Sequence, residues 1–385
     1  MTSLQILGAN PSMRRTWLEH NTGHSLGAAA ETAFTPEEVR GNIENLVGAV
    51  HVPLGVAGPI RVNGTHARGS YYVPFATTEG TLVSTYQYGM RAITEAGGAN
   101  AYVLADSLDI TPCFMLANAS EAISFSQWLY DHLSELVEVA AETTSHGHLV
   151  EIHAHVLGRR VFARFVFTTG DAMGMNMVNM AVDQICRHVI EMTRCERYYL
   201  RCNYSSDKKP AAISLFRPYG KEVAIDFTLP ASVIETHLGV STRDLLEFAR
   251  VGWLGAAQAG AFGVNAHFAN GLAAIYIACG QDVAQVVNAS IGFIDIEPAG
   301  QNDVYVFARL ANLVVGTVGG GTNLPTQSEC LGLLDCRGDG TAPKFAEIVA
   351  ATVVAGDLAI AAAIANGRFI EAHRQNRERN SHPAA

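Results

Sequence analysis

The strongest constraint on the fold is the order in which two hydrophobic periods alternate between about residues 104 and 200. β-rich alternation marks 102–104, 149–156 and 161–168, whereas 121–141 and 175–194 have the spacing of amphipathic helices. A helical period does not settle as a strand, nor the reverse, so the run reads β-α-β-β-α, which suggests a ferredoxin-like unit. At 385 residues the chain is long enough for a large core and more than one domain. We therefore expect an α+β protein. A large mixed α/β domain around a buried central helix is assigned to 41–103 and 201–385, the inserted unit to 104–200, and an N-terminal arm to 1–40.

Local signals refine this outline. Thr35-Pro36-Glu37-Glu38 is a capping box with proline at the first helical position and predicts a helix towards Asn45, preceded by a loosely organised arm. A helix from about Leu82 should end at Gly97-Gly98, where glycine permits a left-handed exit. Ser241-Thr242-Arg243-Asp244 introduces another through Leu245, Phe248 and Ala249. The small residues of 252–263 let helices approach closely, and 269–287 is expected to be the buried central helix.

Composition narrows the class. Hydrophobic residues make up 49% against 16% charged, so much apolar area must be covered internally or by another subunit, and a homodimer or larger homo-oligomer is expected. A formal charge of −10 lacks the basic footprint of nucleic-acid binding. The apolar runs 271–279 and 348–356 fall short of the roughly 20 residues of a membrane span, and Asp357 interrupts the second, so both read as buried helices. Arg14 and Arg15 are followed by no apolar stretch of a signal peptide. Seven cysteines show neither metal spacing nor a disulfide framework, so no metal and a reducing cytoplasm are expected.

Chemistry concentrates in 202–212, where Lys208 and Lys209 follow Asp207. A compact ammonium on a flexible stem follows an oxygen as it becomes an oxyanion, and a carboxylate beside it keeps it placed and protonated. Alone, this tripeptide reads as a solvated turn. It is joined by 74–80 with Glu79 at a helix entry, by 169–177 with Asp171-Ala172-Met173-Gly174-Met175-Asn176, and by 265–270 leading to Cys279-Gly280-Gln281-Asp282. With Glu44-Asn45-Leu46-Val47-Gly48, Gly55-Val56-Ala57-Gly58-Pro59 and Gly316-Thr317-Val318-Gly319-Gly320-Gly321, these motifs run in one order from Glu44 to His373. In that order the chain resembles the hydroxymethylglutaryl-CoA reductase family, class I-like and without a membrane anchor.

The resemblance implies NAD(P)H-dependent four-electron reduction of hydroxymethylglutaryl-CoA to mevalonate and CoA, with active sites at subunit interfaces. The insert would bind the nicotinamide cofactor and the large domain the acyl-CoA thioester. Lys208 would stabilise the carbonyl oxygen in both hydride steps, with Asp282 polarising it. Glu79, desolvated beside Lys208 and Asp282, would donate a proton, and His373 would protonate the departing thiolate. Asp171, Met173, Gly174, Met175 and Asn176, with Val318, Gly319 and Gly321, would hold the cofactor. Lys209, Arg201, Arg250, Asn203, His267 and Asn270 would hold substrate, although His267 reads equally well as a satisfied core histidine.

The chain also departs from the family pattern. Tyr102 is aligned with an arginine that binds the substrate carboxylate, and Arg201 with a serine sharing that task, an expected exchange of one arginine for another across the pocket. Gln87 and Tyr88 stand at an Asn-Arg pair that grips CoA, and Arg368 at a histidine. Thr144 and Ser145 stand at the pair that meets the 2′-phosphate, with Arg159, Arg160 or His146 as substitutes; NADPH is expected and NADH kept open. The alternatives are the same reduction on another acyl-CoA or a carrier-protein thioester, and, more distantly, a non-catalytic homologue.

Overall fold

The computed structural model describes residues 10–144 and 146–370. His373 and the rest of the tail lie outside the described residues, as does Ser145.

α1 (Pro11–Thr22) opens the described chain, capped by the Asn10 side chain and ended by left-handed Gly23. The expected loose arm thus contains a helix. The helix expected over 36–45 is absent: Thr35 and Glu38 do bond reciprocally (2.7 and 3.4 Å), but only isolated turns follow. β1 (Leu54–Asn63) and β2 (Arg68–Ala76) form a separate antiparallel pair. α2 (Leu82–Glu95) then runs to the Gly97-Gly98 exit, as expected.

Among the described residues, one sheet carries the other eight strands. β3 (Asn100–Ile110), β4 (Cys113–Met115), β5 (His148–Leu157), β6 (Arg160–Thr168), β7 (Arg197–Tyr199), β8 (Gly220–Leu229), β9 (Gly292–Ala299) and β10 (Asp303–Leu313) run in the order β7-β4-β6-β3-β8-β10-β9, with β5 on β6. Long β3 belongs to both halves: 100–107 pair with β8, and 108–110 pair with β6. In the smaller half, α3 (Ala119–Asp131), α4 (Leu133–Ala141) and α5 (Met175–Met192) cover the sheet over a core containing Leu108, Phe125, Phe165 and Val182. The expected single helix over 121–141 divides at His132.

The larger core is built on helices. After the short α6 (Ala231–Val233) come α7 (Thr242–Ala259), α8 (Phe268–Ala278), the short α9 (Val286–Ala289), α10 (Pro325–Leu333) and α11 (Ala342–Ala365). The central buried helix is α11, not 269–287. α8 stops at Ala278, and Gly280, at φ 68°, turns the chain away. Among the described residues α11 alone has the length and apolar content of a membrane span, but it is enclosed by the rest of the fold and serves as a core helix. The apolar run expected at 348–356 is part of this longer element. Its contact with α2 is at backbone distance, because Gly89 faces the Ala355 carbonyl with no room for a Cβ. Its one buried glutamate, Glu347, accepts the N–H groups of Thr65, His66 and Ala67 at 3.2, 2.9 and 2.6 Å, tying the β1–β2 turn to the core.

Candidate active site

The lysine loop leaves β7 and crosses to the larger half. Lys208 sits at φ 55°, an uncommon conformation for a residue with a Cβ. Its Nζ reaches Asp282 Oδ2 at 2.6 Å, while the other Asp282 oxygen accepts Ala284 N–H at 3.1 Å. Lys209 instead folds back, its Nζ donating to the Asp207 carbonyl at 2.9 Å. Buried Asp207 pairs with Arg201, whose other guanidinium nitrogen lies 3.7 Å from Met175 Sδ. One of the two adjacent ammonium groups is thus presented to a carboxylate and the other is spent on the loop itself.

Lys208 and Asp282 line a cavity of about 340 Å³ whose remaining wall is 172–177 and the glycine loop 316–322. Met173, Gly174, Met175, Asn176, Val318, Gly319 and Gly321 all face it. The glycines are there because backbones touch. Gly280 and Gly321 abut, and a Cβ on Gly316 would meet Met173 N at 2.6 Å. Gln281 staples the two segments, its amide bonding Gly316 N–H at 2.8 Å and Gly316 C=O at 3.0 Å. Asp171 ties this segment to a helix start. Its carboxylate accepts Gly340 N–H (2.6 Å) and Ala342 N–H (2.9 Å) at the start of α11, and its carbonyl accepts Thr317 N–H at 2.8 Å.

Glu79 belongs to a second cluster. Both its oxygens face Asn270 Nδ2, at 3.2 and 3.3 Å. At the start of the same helix, half-buried His267 bonds Asp357 Oδ1 through Nδ1 at 2.9 Å, and Asp357 also accepts the N–H groups of Ala266 and His267, both at 2.8 Å. Tyr86 stacks on His267 at 5.6 Å in space left by Gly271 and Gly356. Burial, reinforced by the Asp357 charge, pushes its phenol well above the ordinary value. In one chain Glu79 is exposed and bonds Asn270, rather than being desolvated beside Lys208 and Asp282. The reason is α8: Asn270 lies in its first turn and Asp282 beyond its end, and 270 to 278 alone is about 12 Å of helical rise.

The remaining candidates are scattered. Arg250 is exposed on α7, Asn203 is exposed at φ 66°, and Tyr102 is exposed on β3. Gln87 is spent on Gly58, accepting its N–H at 2.9 Å and donating to its carbonyl at 2.8 Å. Arg368 lies by Gly239. Sequence reasoning missed Asp357, Tyr86 and the stapling role of Gln281; only Gln281 lay within a recognised motif.

Comparison with known proteins matches residues 10–378 to the family model for hydroxymethylglutaryl-coenzyme A reductase. The 3-hydroxy-3-methylglutaryl-coenzyme A reductase of Aeropyrum pernix is 44% identical over 372 residues, covering 94% of this chain and 88% of that protein. The enzyme of the same name from Methanothermobacter thermautotrophicus is 40% identical over 366 residues, covering 94% and 92%. Among solved structures, the class II reductase of Streptococcus pneumoniae bound to NADPH in open conformations matches with a TM-score of 0.68 at 19% identity, covering 85% of this chain and 79% of that one. At that identity the likeness is one of fold.

Proposed function

Because the chain belongs to the hydroxymethylglutaryl-coenzyme A reductase family, we propose that this oxidoreductase converts hydroxymethylglutaryl-CoA to mevalonate and CoA with two equivalents of NADPH. The observation that carries the reading is the single cavity in which Lys208 and Asp282 meet 172–177 and the glycine loop. Its backbone-lined wall leaves room where side chains would block a flat ring, and the Streptococcus pneumoniae neighbour is described as bound to NADPH. The nicotinamide supplies hydride to the carbonyl carbon. In this reading the smaller half, 104–200, is a ferredoxin-like cofactor domain, and the larger half binds the thioester.

Lys208, held by Asp282, stabilises the oxyanion that forms as hydride adds to the thioester. Collapse of that oxyanion expels the CoA thiolate, which takes a proton from His373, and leaves an aldehyde. A second hydride makes an alkoxide that again faces Lys208 and takes its proton from Glu79. Since Glu79, Asn270 and His267 lie at one end of α8 and Asp282 beyond the other, the two clusters are joined between two copies of the chain. Apolar Val50, Leu54, Val56 and Tyr72, exposed in the single chain, suit such an interface.

A second reading, the same reduction on a different acyl thioester, is favoured by Arg201, whose guanidinium is paired with Asp207 rather than free for a substrate carboxylate. One assay separates the two: nucleotide oxidation with hydroxymethylglutaryl-CoA against uncharged acyl thioesters. Turnover confined to the uncharged substrates replaces the first reading with the second.

A further inference from the structure

The geometry points to Gln285 and Asn288 as positioning residues that set where the Lys208 ammonium stands. Asp282, Gln285 and Asn288 recur every third residue through a 3₁₀ turn (Val283–Gln285) that continues into α9, so they share one face of this short helical stretch. All three meet the lysine loop. Asp282 takes the Lys208 side chain at 2.6 Å. Gln285 Nε2 donates to Asp207 Oδ1 at 2.9 Å, opposite the oxygen paired with Arg201. Asn288 Oδ1 accepts Lys208 N–H at 3.3 Å.

These contacts answer a local problem. Lys208 occupies a left-handed conformation that a lysine adopts only when its surroundings impose it. The two amides grip the backbone N–H of that strained residue and the carboxylate of the residue before it. If the loop relaxed to extended φ, the side chain would leave the cavity. The grip is also registered to the opposite wall, because the preceding residue, Gln281, is stapled to Gly316.

A packing role would be served better by apolar side chains. Gln285 and Asn288 are wholly buried, and among the described residues Gln285 Oε1 and Asn288 Nδ2 have no hydrogen-bond partner, which costs stability that a hydrocarbon of similar size would not. Their polar ends are therefore read as serving the loop.

This inference rests on the role given to Lys208 above. Gln285→Met and Asn288→Leu keep the side-chain length and branching and remove the grip. Each should lower kcat about tenfold, the effect of losing one net hydrogen bond, on both the thioester and the free aldehyde. KM should stay within about twofold. In a Lys208→Ala background Asn288→Leu should add nothing. Unchanged kcat, a loss confined to KM, or a loss additive with Lys208→Ala would overturn the inference. A readout independent of turnover is the ¹³C resonance of reductively methylated Lys208, assigned by its absence from Lys208→Arg. It should move to the position of lysines without a carboxylate partner in both variants, as the ammonium leaves Asp282, and failure to move refutes the positioning role even if every thioester tried proves inert. Inertness of the unaltered protein would count against the proposed function instead.

Discussion

Asp171→Ala separates two uses of a residue in the most recognisable motif of the chain. Its carboxylate accepts two backbone N–H groups, from Gly340 and Ala342, at the N-terminus of α11, the helix around which the larger core is built. A hydrogen bond to a charged group contributes about 1.5–3 kcal/mol, and a carboxylate near a helix N-terminus adds about 0.3–1 kcal/mol. Ala342 is buried, but Gly340 is exposed and water can serve it after truncation. The expected loss is therefore nearer one buried bond plus the dipole contribution, about 3 kcal/mol. An unfolding entropy of about 2.1 cal/mol/K per residue gives about 0.8 kcal/mol/K for this chain, so the melting temperature should fall by about 4 °C. Asp171→Asn, which keeps an acceptor but not the charge, should lose roughly half as much. Scanning calorimetry measures the loss, and a nucleotide titration of the folded variant measures binding, which should change little. A tenfold weaker nucleotide affinity with an unaltered melting temperature would show that Asp171 is a ligand contact, and the capping account would fail.

Lys208→Ala should depress reduction of thioester and free aldehyde alike, whereas His373→Ala should spare the aldehyde, with losses of about 10²–10⁴ for a general acid; equal losses for the histidine variant contradict its role. Gly316→Ala should abolish nucleotide binding while leaving thioester affinity measurable, because its Cβ would meet Met173 N at 2.6 Å; intact binding to folded protein would show that the loop has slack. Arg201→Ser should raise KM for an acidic acyl thioester if the guanidinium, despite its pairing with Asp207, serves the substrate carboxylate; the alternative is improved turnover of uncharged substrates. The Tyr198 phenol is pushed up to about 12 by burial and then by its bond to Asp183. A raised folded value means that its contribution to stability is whole below about pH 10 and is lost as pH rises towards 12. Denaturant titrations across that window should show a shallower decline in Tyr198→Phe, and an unchanged slope would count against the shift.

The parts of the fold legible in sequence are those in which apolar period and burial coincide. β5, β6, α2 and α5 emerge close to their expected bounds because one face of each meets a core. The helix expected over 36–45 fails for the same reason. Its capping box forms, but Val39 is the only buried side chain between Pro36 and Asn45, and one cap does not offset the cost of nucleating a helix without a packed face. α1 was hidden because it docks through arginines: Arg14 and Arg15 donate to the carbonyls of Leu46 and Val47 at 3.2 and 2.6 Å, contacts that leave no apolar period. α11 was underestimated because Asp357 looked like an interruption, whereas its carboxylate, like that of Glu347 in the same helix, is buried against backbone N–H groups. In the site, the motifs at 172–177, 208, 282 and 316–322 converge on one cavity. The distance between Glu79 and Lys208 was not legible, since motif order carries no measure of the helix that separates them.

In the proposed mechanism Lys208 is the oxyanion-stabilising group of a thioester reductase. Stopped-flow and steady-state absorbance of NADPH with hydroxymethylglutaryl-CoA, on the unaltered chain and on Lys208→Ala, tests this directly. The unaltered chain should consume two NADPH for each CoA thiol released, and the variant should bind NADPH with similar affinity yet oxidise it at least about a hundredfold more slowly, the lower end expected for removal of an oxyanion-stabilising group. A stoichiometry of one, or a variant that turns over at the unaltered rate, would contradict it.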